Sequence, residues 1–290
     1  MRRSTLTLTA FTLLMGIFAG SANPAGAQSR SRSRNDDRRS SSSSSSSDEP
    51  FRWSGEVQRD HWVYLHNVNG AVRVEQGTGS KVEIVATKHW RRGNPDDVRI
   101  SVEQTGSGKG DVLVCALWSE RSSCDEDGVH SRRDGSFWNW KGHDNDTSVE
   151  FVVRLPAGVK VNATTVNGSV MIDGATSVVR ASTVNGNVEA RSTGGPVHAE
   201  TTNGNIDVRA GTLGDERLDY RTTNGSITIE LPASANADID MRTVNGGLTS
   251  DFPLTIQGRI DRRHMQATLG RGGPTVRLET VNGSIRLRKA

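Results

Sequence analysis

Long apolar runs, cysteines, aromatics and net charge are all scarce in this 290-residue chain, and each scarcity narrows what it is. Beyond residues 6–19 no stretch approaches the roughly 20 apolar residues of a membrane-spanning helix. The one apolar run follows Arg2 and Arg3 and leads into "SANPAGAQ", whose Ala25-Gly26-Ala27 is a small-residue cleavage pattern. Residues 1–27 therefore read as a signal peptide, and the mature chain as exported to the periplasm or beyond, without a membrane span. No cysteine lies near the cleavage site, which argues against a lipid anchor. Lys and Arg total 36 against 33 Asp and Glu, and loss of Arg2 and Arg3 with the signal leaves 34 against 33. A chain this close to neutral has no electrostatic case for nucleic acid as a partner.

Only two cysteines are present, Cys115 and Cys124 in "CALWSERSSC". They have neither the spacing nor the company of a zinc site. In an oxidising compartment, an even pair this close reads as one local disulfide, with two free thiols as the alternative. Catalytic patterns are missing too: no G-x-S-x-G elbow and no H-E-x-x-H occurs. Asp173, Asp207, Asp238 and Asp240 would be the carboxylates of a polysaccharide-cleaving β-helix enzyme, the alternative function. They do not recur as a pair at one repeat position, which favours solvated strand carboxylates. The acidic stretches "CDEDG" (Asp125, Glu126, Asp127) and "GHDNDTS" (His143, Asp144, Asp146) offer oxygen ligands for calcium. Neither matches an EF-hand or a glycine-rich nonapeptide, so both read as solvated loops, and no metal, cofactor or catalytic residue is expected.

What the chain has is serine, then β-pattern. Residues 28–50, "QSRSRSRNDDRRSSSSSSSSDEP", carry mixed charge and eight consecutive serines, and read as a disordered linker. Residues 51–290 form the folded part, a Cys- and Trp-bearing insert at 115–147 included. Segments such as "WVYLHNV", "KVEIVAT" and "SVEFVVRL" alternate apolar and polar residues between Gly, Asn and Pro, and nothing comparable has helical period.

A repeat organises these strands. Asn-Gly pairs stand at Asn69-Gly70, Asn167-Gly168, Asn185-Gly186, Asn203-Gly204, Asn224-Gly225, Asn245-Gly246 and Asn282-Gly283. Steps from Asn167 are 18, 18, 21, 21 and 37 residues. Three positions after each Asn stands Val72, Val170, Val188, Ile206, Ile227, Leu248 or Ile285. Six before stands Val63, Val161, Val179, Val197, Leu218, Ile239 or Val276, and four before stands Leu65, Ala163, Ala181, Ala199, Tyr220, Met241 or Leu278. Each unit thus has an inward row on either side of its turn.

Two architectures share this register. In a two-sheet β-sandwich, each Asn-Gly closes a hairpin. In a β-solenoid, each 18–21-residue unit is a coil of two strands, with Asn-Gly at a corner where Asn side chains stack and Gly permits positive φ. A single meander sheet would leave its apolar face uncovered, for no amphipathic helix is available, whereas a solenoid closes that face on itself. The expectation is therefore an all-β solenoid, with the sandwich as alternative. The closing "GGPTVRLETVNGSIRL" reads as the terminal unit, its Arg286, Arg288 and Lys289 discouraging further strand addition.

The stretches "LPAG…TVNG", "TVNGGLTSDFPL" and "GGPTVRLETVNGSIRLRK" resemble the bacterial adhesin-like β-strand-repeat domain also called toast-rack, with similarity from Trp62 to Lys289. The resemblance implies an exported or envelope-attached solenoid-like domain and supplies no catalytic residues. A non-catalytic adhesin-like or scaffolding role follows, with an envelope glycan or envelope protein as partner and an envelope-stress accessory as a further alternative; the oligomeric state is open. All six tryptophans precede the main repeat array. All six, Trp62 included, read first as fillers of the N-terminal coils or caps on their open end; Trp138 and Trp140 in "SFWNWKGHDND", two apart in a long polar loop, are the best candidate ligand contact.

Overall fold

The computed structural model describes residues 49–131, 145–257 and 261–290. The expected signal peptide, residues 1–27, and nearly all of the expected linker, residues 28–50, lie outside the described residues. Strands, numbered in chain order, form two large sheets and a small hairpin. Sheet A runs β1 (Phe51–Glu56), β4 (Lys81–His89), β9 (Ser148–Leu155), β3 (Val72–Gln76), β11 (Val170–Ala175), β13 (Val188–Ser192), β15 (Ile206–Ala210), β17 (Ile227–Leu231), β23 (Ile285–Lys289), β19 (Leu248–Ser250). Sheet B runs β20 (Leu254–Ile256), β21 (His264–Leu269), β18 (Ala237–Asn245), β22 (Thr275–Asn282), β16 (Leu218–Asn224), β14 (Val197–Asn203), β12 (Val179–Asn185), β10 (Lys160–Thr164), β2 (Trp62–His66), β6 (Asp111–Leu117), β5 (Arg99–Thr105). The hairpin pairs β7 (Ser122–Asp125) with β8 (Gly128–Ser131). The fold is all-β; among the described residues, the helical elements are two three-residue 3-10 turns.

Each Asn-Gly pair carries the chain from a strand of sheet B to a strand of sheet A, so none closes a hairpin. Strands of successive repeats then stack parallel and in register, Val161 on Val179 on Val197 in sheet B and Val170 on Val188 on Ile206 in sheet A. The inward rows meet in one apolar core. Every residue six before or four before an Asn is buried, as is every residue three after except Leu248, which is half-buried at the sheet edge. Interior width follows repeat length. The first three repeats after the insertion place Ala163, Ala181 and Ala199 four before Asn, whereas the longer steps bring Tyr220 and Met241 to that position.

Tyr220 is fully buried between Ala199 and Leu278, and among the described residues its hydroxyl has no hydrogen-bond partner. Burial pushes its phenol pKa far up. An unsatisfied buried hydroxyl costs more than the apolar edge that would replace it, so Tyr220→Phe is expected to stabilise the fold by about 1 kcal/mol, read as a raised denaturation midpoint.

Three sequence expectations are corrected here. The closing unit is not terminal: β22 lies between β16 and β18, and β23 between β17 and β19, so Arg286, Arg288 and Lys289 sit on an interior strand. The connection through β20 and β21, which pair antiparallel outside β18, lets the chain turn back and fill the gap. Second, Gly70 alone among the seven Asn-Gly glycines has positive φ, at 116°. The other six are required by close approach: a Cβ on Gly168, Gly186, Gly204, Gly225, Gly283 or Gly246 would overlap the carbonyl of the glycine stacked on it. Third, Cys115 does not begin a loop. It belongs to β6, which pairs parallel with β2; in sheet A β9 pairs parallel with β3 and β4 adds antiparallel to β9, so the interruption between repeats builds both sheets outward.

Candidate functional site

The Asn-Gly corner is a continuous hydrogen-bonded seam. Asn side chains form one ladder, each Nδ2 donating to the neighbouring Oδ1 at 2.8–2.9 Å, in the spatial order Asn69, Asn167, Asn185, Asn203, Asn224, Asn282, Asn245. A second ladder runs beside it. Thr165, Thr183, Thr201, Thr222, Thr280 and Thr243, two before each Asn, are buried and donate to the glycine carbonyl of the adjoining rung at 2.8–3.0 Å. At the first rung Asn67 takes this place, donating to the carbonyls of Gly70 and Val149. The threonine row escaped the sequence reading although "TVNG" and "TTNG" display it, because threonine fits either face of a strand.

Beside the seam, the outer face of sheet B presents three kinds of side chain. The residue just before each Asn points to solvent: Val166, Val184, Val281 and Val244 are exposed, with Thr202 and Thr223 between them. Charged residues form an alternating network behind that row. Asp240 holds Arg242 at 3.1 Å and His264 at 3.0 Å, Glu279 holds Arg277 at 3.0 Å, and Asp219 holds Arg217 at 3.1 Å. Of these, Arg242, His264 and Glu279 border a concavity of about 560 Å³, together with Glu200, Arg221 and Arg263. Farther along, Trp62 and Tyr64 stack with ring centroids 5.8 Å apart, and the Arg180 guanidinium lies 4.8 Å from the Trp62 ring.

The disulfide-pinned hairpin covers the next part of this face. Cys115 and Cys124 are bonded, with Cα atoms 6.5 Å apart. The bridge holds β7–β8 over β6, where Cys124, Val129 and Tyr64 pack on Leu113, Cys115 and Leu117. His66 is buried beneath, 3% exposed, and among the described residues neither ring nitrogen has a hydrogen-bond partner within bonding geometry. Burial pushes its pKa below 6.5, against the pull of the Glu126 backbone and of Asp125 and Asp127, with His130 adding to the depression. The folded state thus takes up this proton later than the unfolded chain as pH falls. Stability from a neutral buried His66 is full above about 6.5 and is lost below it. Denaturation midpoints from about pH 7.5 to about pH 5 are expected to fall in the wild type and to fall less in His66→Phe.

The acidic stretches are occupied by the fold. Asp125 Oδ1 accepts from the backbone of Asp127 and Gly128 and pairs with His130 at 2.9 Å, and this His130 bond leads the lowering of its pKa. Asp146 accepts from the backbone N–H groups of Arg91 and Arg92, which hold its carboxyl below the usual range. His143, Asp144, Trp138 and Trp140 lie outside the described residues. Among the described residues, no group of three His, Cys, Asp or Glu side chains is placed to hold a metal ion. Asp173 and Asp207 stand on strands of sheet A and Asp238 and Asp240 on β18 of sheet B, so the four carboxylates are not brought together. Asp207 is raised by partial burial first and by neighbouring Glu189 second. Trp53 and Trp118 pack half-buried against the core, beside a second concavity of about 940 Å³ lined by Phe51, Ile100 and Leu117. Trp62 was counted among possible core fillers. Its place on the outward side of "WVYLH", alternating with buried Val63 and Leu65, is the signal that marks it as a surface residue.

The Toastrack DUF4097 family model matches residues 138–288, just over half of the chain and all six later Asn-Gly rungs. The chain belongs to the Toastrack DUF4097 family. Two solved structures are similar to this Toastrack chain. One, described as a "putative cell adhesion protein" from Clostridium sporogenes ATCC 15579, is 11% identical, with a TM-score of 0.43 over 83% of this chain and 100% of that one. Another, a "putative adhesin" from Bacteroides fragilis NCTC 9343, is 13% identical, with a TM-score of 0.34 over 83% of this chain and 97% of that one. No curated protein matches the Toastrack chain. Among its described residues, no helix is long and apolar enough to cross a membrane.

Proposed function

We propose that this Toastrack domain is an exported, non-catalytic adhesion or scaffolding module of the cell envelope, wound as a β-solenoid, with the outer face of sheet B as its contact surface. The observation that carries the reading is the outward Trp62–Tyr64 pair beside a row of exposed valines and threonines. Aromatic and β-branched groups set outward on hydrogen-bonded, in-register rungs form a preorganised surface, which lowers the entropic cost of gripping an extended polymer. A stacked aromatic with an arginine above it suits sugar rings, so an envelope glycan is the favoured partner and an envelope protein the alternative. Export is supported by the N-terminal composition and by the disulfide.

Binding to purified cell-wall and outer-surface glycans, and pull-down of envelope proteins, test this. The intact domain is expected to bind at least one glycan fraction, and Trp62→Ala with Tyr64→Ala to weaken binding at least about tenfold, since stacking residues dominate such contacts. Absence of binding to every glycan and envelope protein overturns the reading.

A further inference from the structure

The asparagine ladder ends unequally, and that asymmetry has chemical consequences. Asn-Gly is the dipeptide most open to self-modification, because a glycine lacks the Cβ that would obstruct attack of its amide nitrogen on the asparagine side chain. Seven such pairs would make a fragile protein unless the fold restrains them. In six of them the glycine N–H is engaged: Gly70, Gly168, Gly186, Gly204, Gly225 and Gly283 each donate to the backbone carbonyl of the next rung's asparagine at 2.8–3.0 Å. That bond holds the nitrogen in the sheet and opposes the loss of its proton.

Asn245-Gly246 is the last rung. Beyond it sheet B continues with β21, antiparallel and paired only up to Arg242, so no further Asn-Gly corner covers it. Among the described residues the Gly246 N–H has no acceptor, and Asn245 Oδ1 accepts no hydrogen bond, its Nδ2 alone being held, by Asn282. Gly246 is also the one exposed glycine among the seven pairs.

We propose that Asn245 is a site of spontaneous backbone-assisted deamidation, and that the ladder shields the other six asparagines. The Gly246 amide nitrogen, on losing its proton, bonds to Asn245 Cγ; the Cγ–Nδ2 bond breaks and nitrogen leaves as ammonia, closing a five-membered imide. Water then opens that ring. Cleavage between Cγ and the Gly246 nitrogen gives aspartate, whereas cleavage at the main-chain carbonyl gives isoaspartate, which reroutes the backbone through Cβ. Water is the only co-reactant. Either product puts a negative charge at the exposed end of the seam, and isoaspartate adds a methylene where the chain crosses toward β19.

The test is ageing of the full chain at mildly alkaline pH, followed by peptide mapping with mass spectrometry and enzymatic isoaspartate labelling, beside the same chain in urea. In the folded chain, conversion at Asn245 is expected to exceed that at each of the other six by at least about tenfold, because each of those must first open locally. In urea the seven are expected to convert at similar rates. Equal rates across the folded ladder, a faster inner rung, or protection of Asn245 relative to urea would each overturn the proposal. Asn69 separates the two possible shields: its Gly70 N–H is bonded although its side chain has one ladder bond, so it is expected to remain intact.

Discussion

Gly204→Ala is expected to destabilise the domain by about 3 kcal/mol, the upper end for an overpacked position. A Cβ there would overlap the carbonyl of Gly186 and crowd the Asn187 nitrogen, all backbone atoms of one neighbouring rung. No rotamer change relieves such a clash; the rungs must separate. Separation breaks the Gly186–Asn203 backbone bond, the Thr201 bond to Gly186 and the Asn203–Asn185 side-chain bond together. Gly247→Ala is the control, one corner residue away from a stacked glycine: its Cβ would come no closer than 4.0 Å to Ser284 Oγ. Denaturant melts should show a large loss for the first and little change for the second. Equal, small losses would mean that the seam does not confine its glycines.

Loss of the disulfide should act locally. Closing a loop of this length stabilises by on the order of 3 kcal/mol. The bridge, however, ties down a hairpin that the two sheets do not need for their own pairing. In Cys115→Ser with Cys124→Ser, β7–β8 is expected to lift from β6, exposing His66 and one side of Tyr64. The His66 pKa, followed by NMR, should then rise toward 6.5, while the main unfolding transition moves far less than in Gly204→Ala. A comparable drop in that transition would show the hairpin to be part of the cooperative core.

How much of this was legible beforehand follows from what repeats and what does not. Inward rows, the stacked asparagines and the disulfide were readable, because alternation and a fixed offset from each Asn determine which side chains meet. The order of the last two rungs was not. Asn245 and Asn282 carry the same flanking pattern, so any rung stacks on any other and only the connecting chain decides between them. Glycine's role was misjudged for a related reason: sequence shows that a residue is small, but whether torsion or a neighbouring carbonyl demands it depends on distance. The contact surface was the least legible part. The outward place of Trp62 and Tyr64 was implicit in the inward Val63 and Leu65, but that the two rings stack with Arg180 beside them depends on neighbouring strands that sequence does not order.

The inserted position of β22 and β23 bears on how the fold closes. β22 and β23 are a keystone, and until they are in place β16 and β18 have no strand between them. A polypeptide cut short before Thr275 would lack the rung between β16–β17 and β18–β19, with Leu278, Ile285 and Leu287 absent from the interior. Truncation ahead of β22 would thus produce an open, protease-sensitive product and not a slightly shorter one.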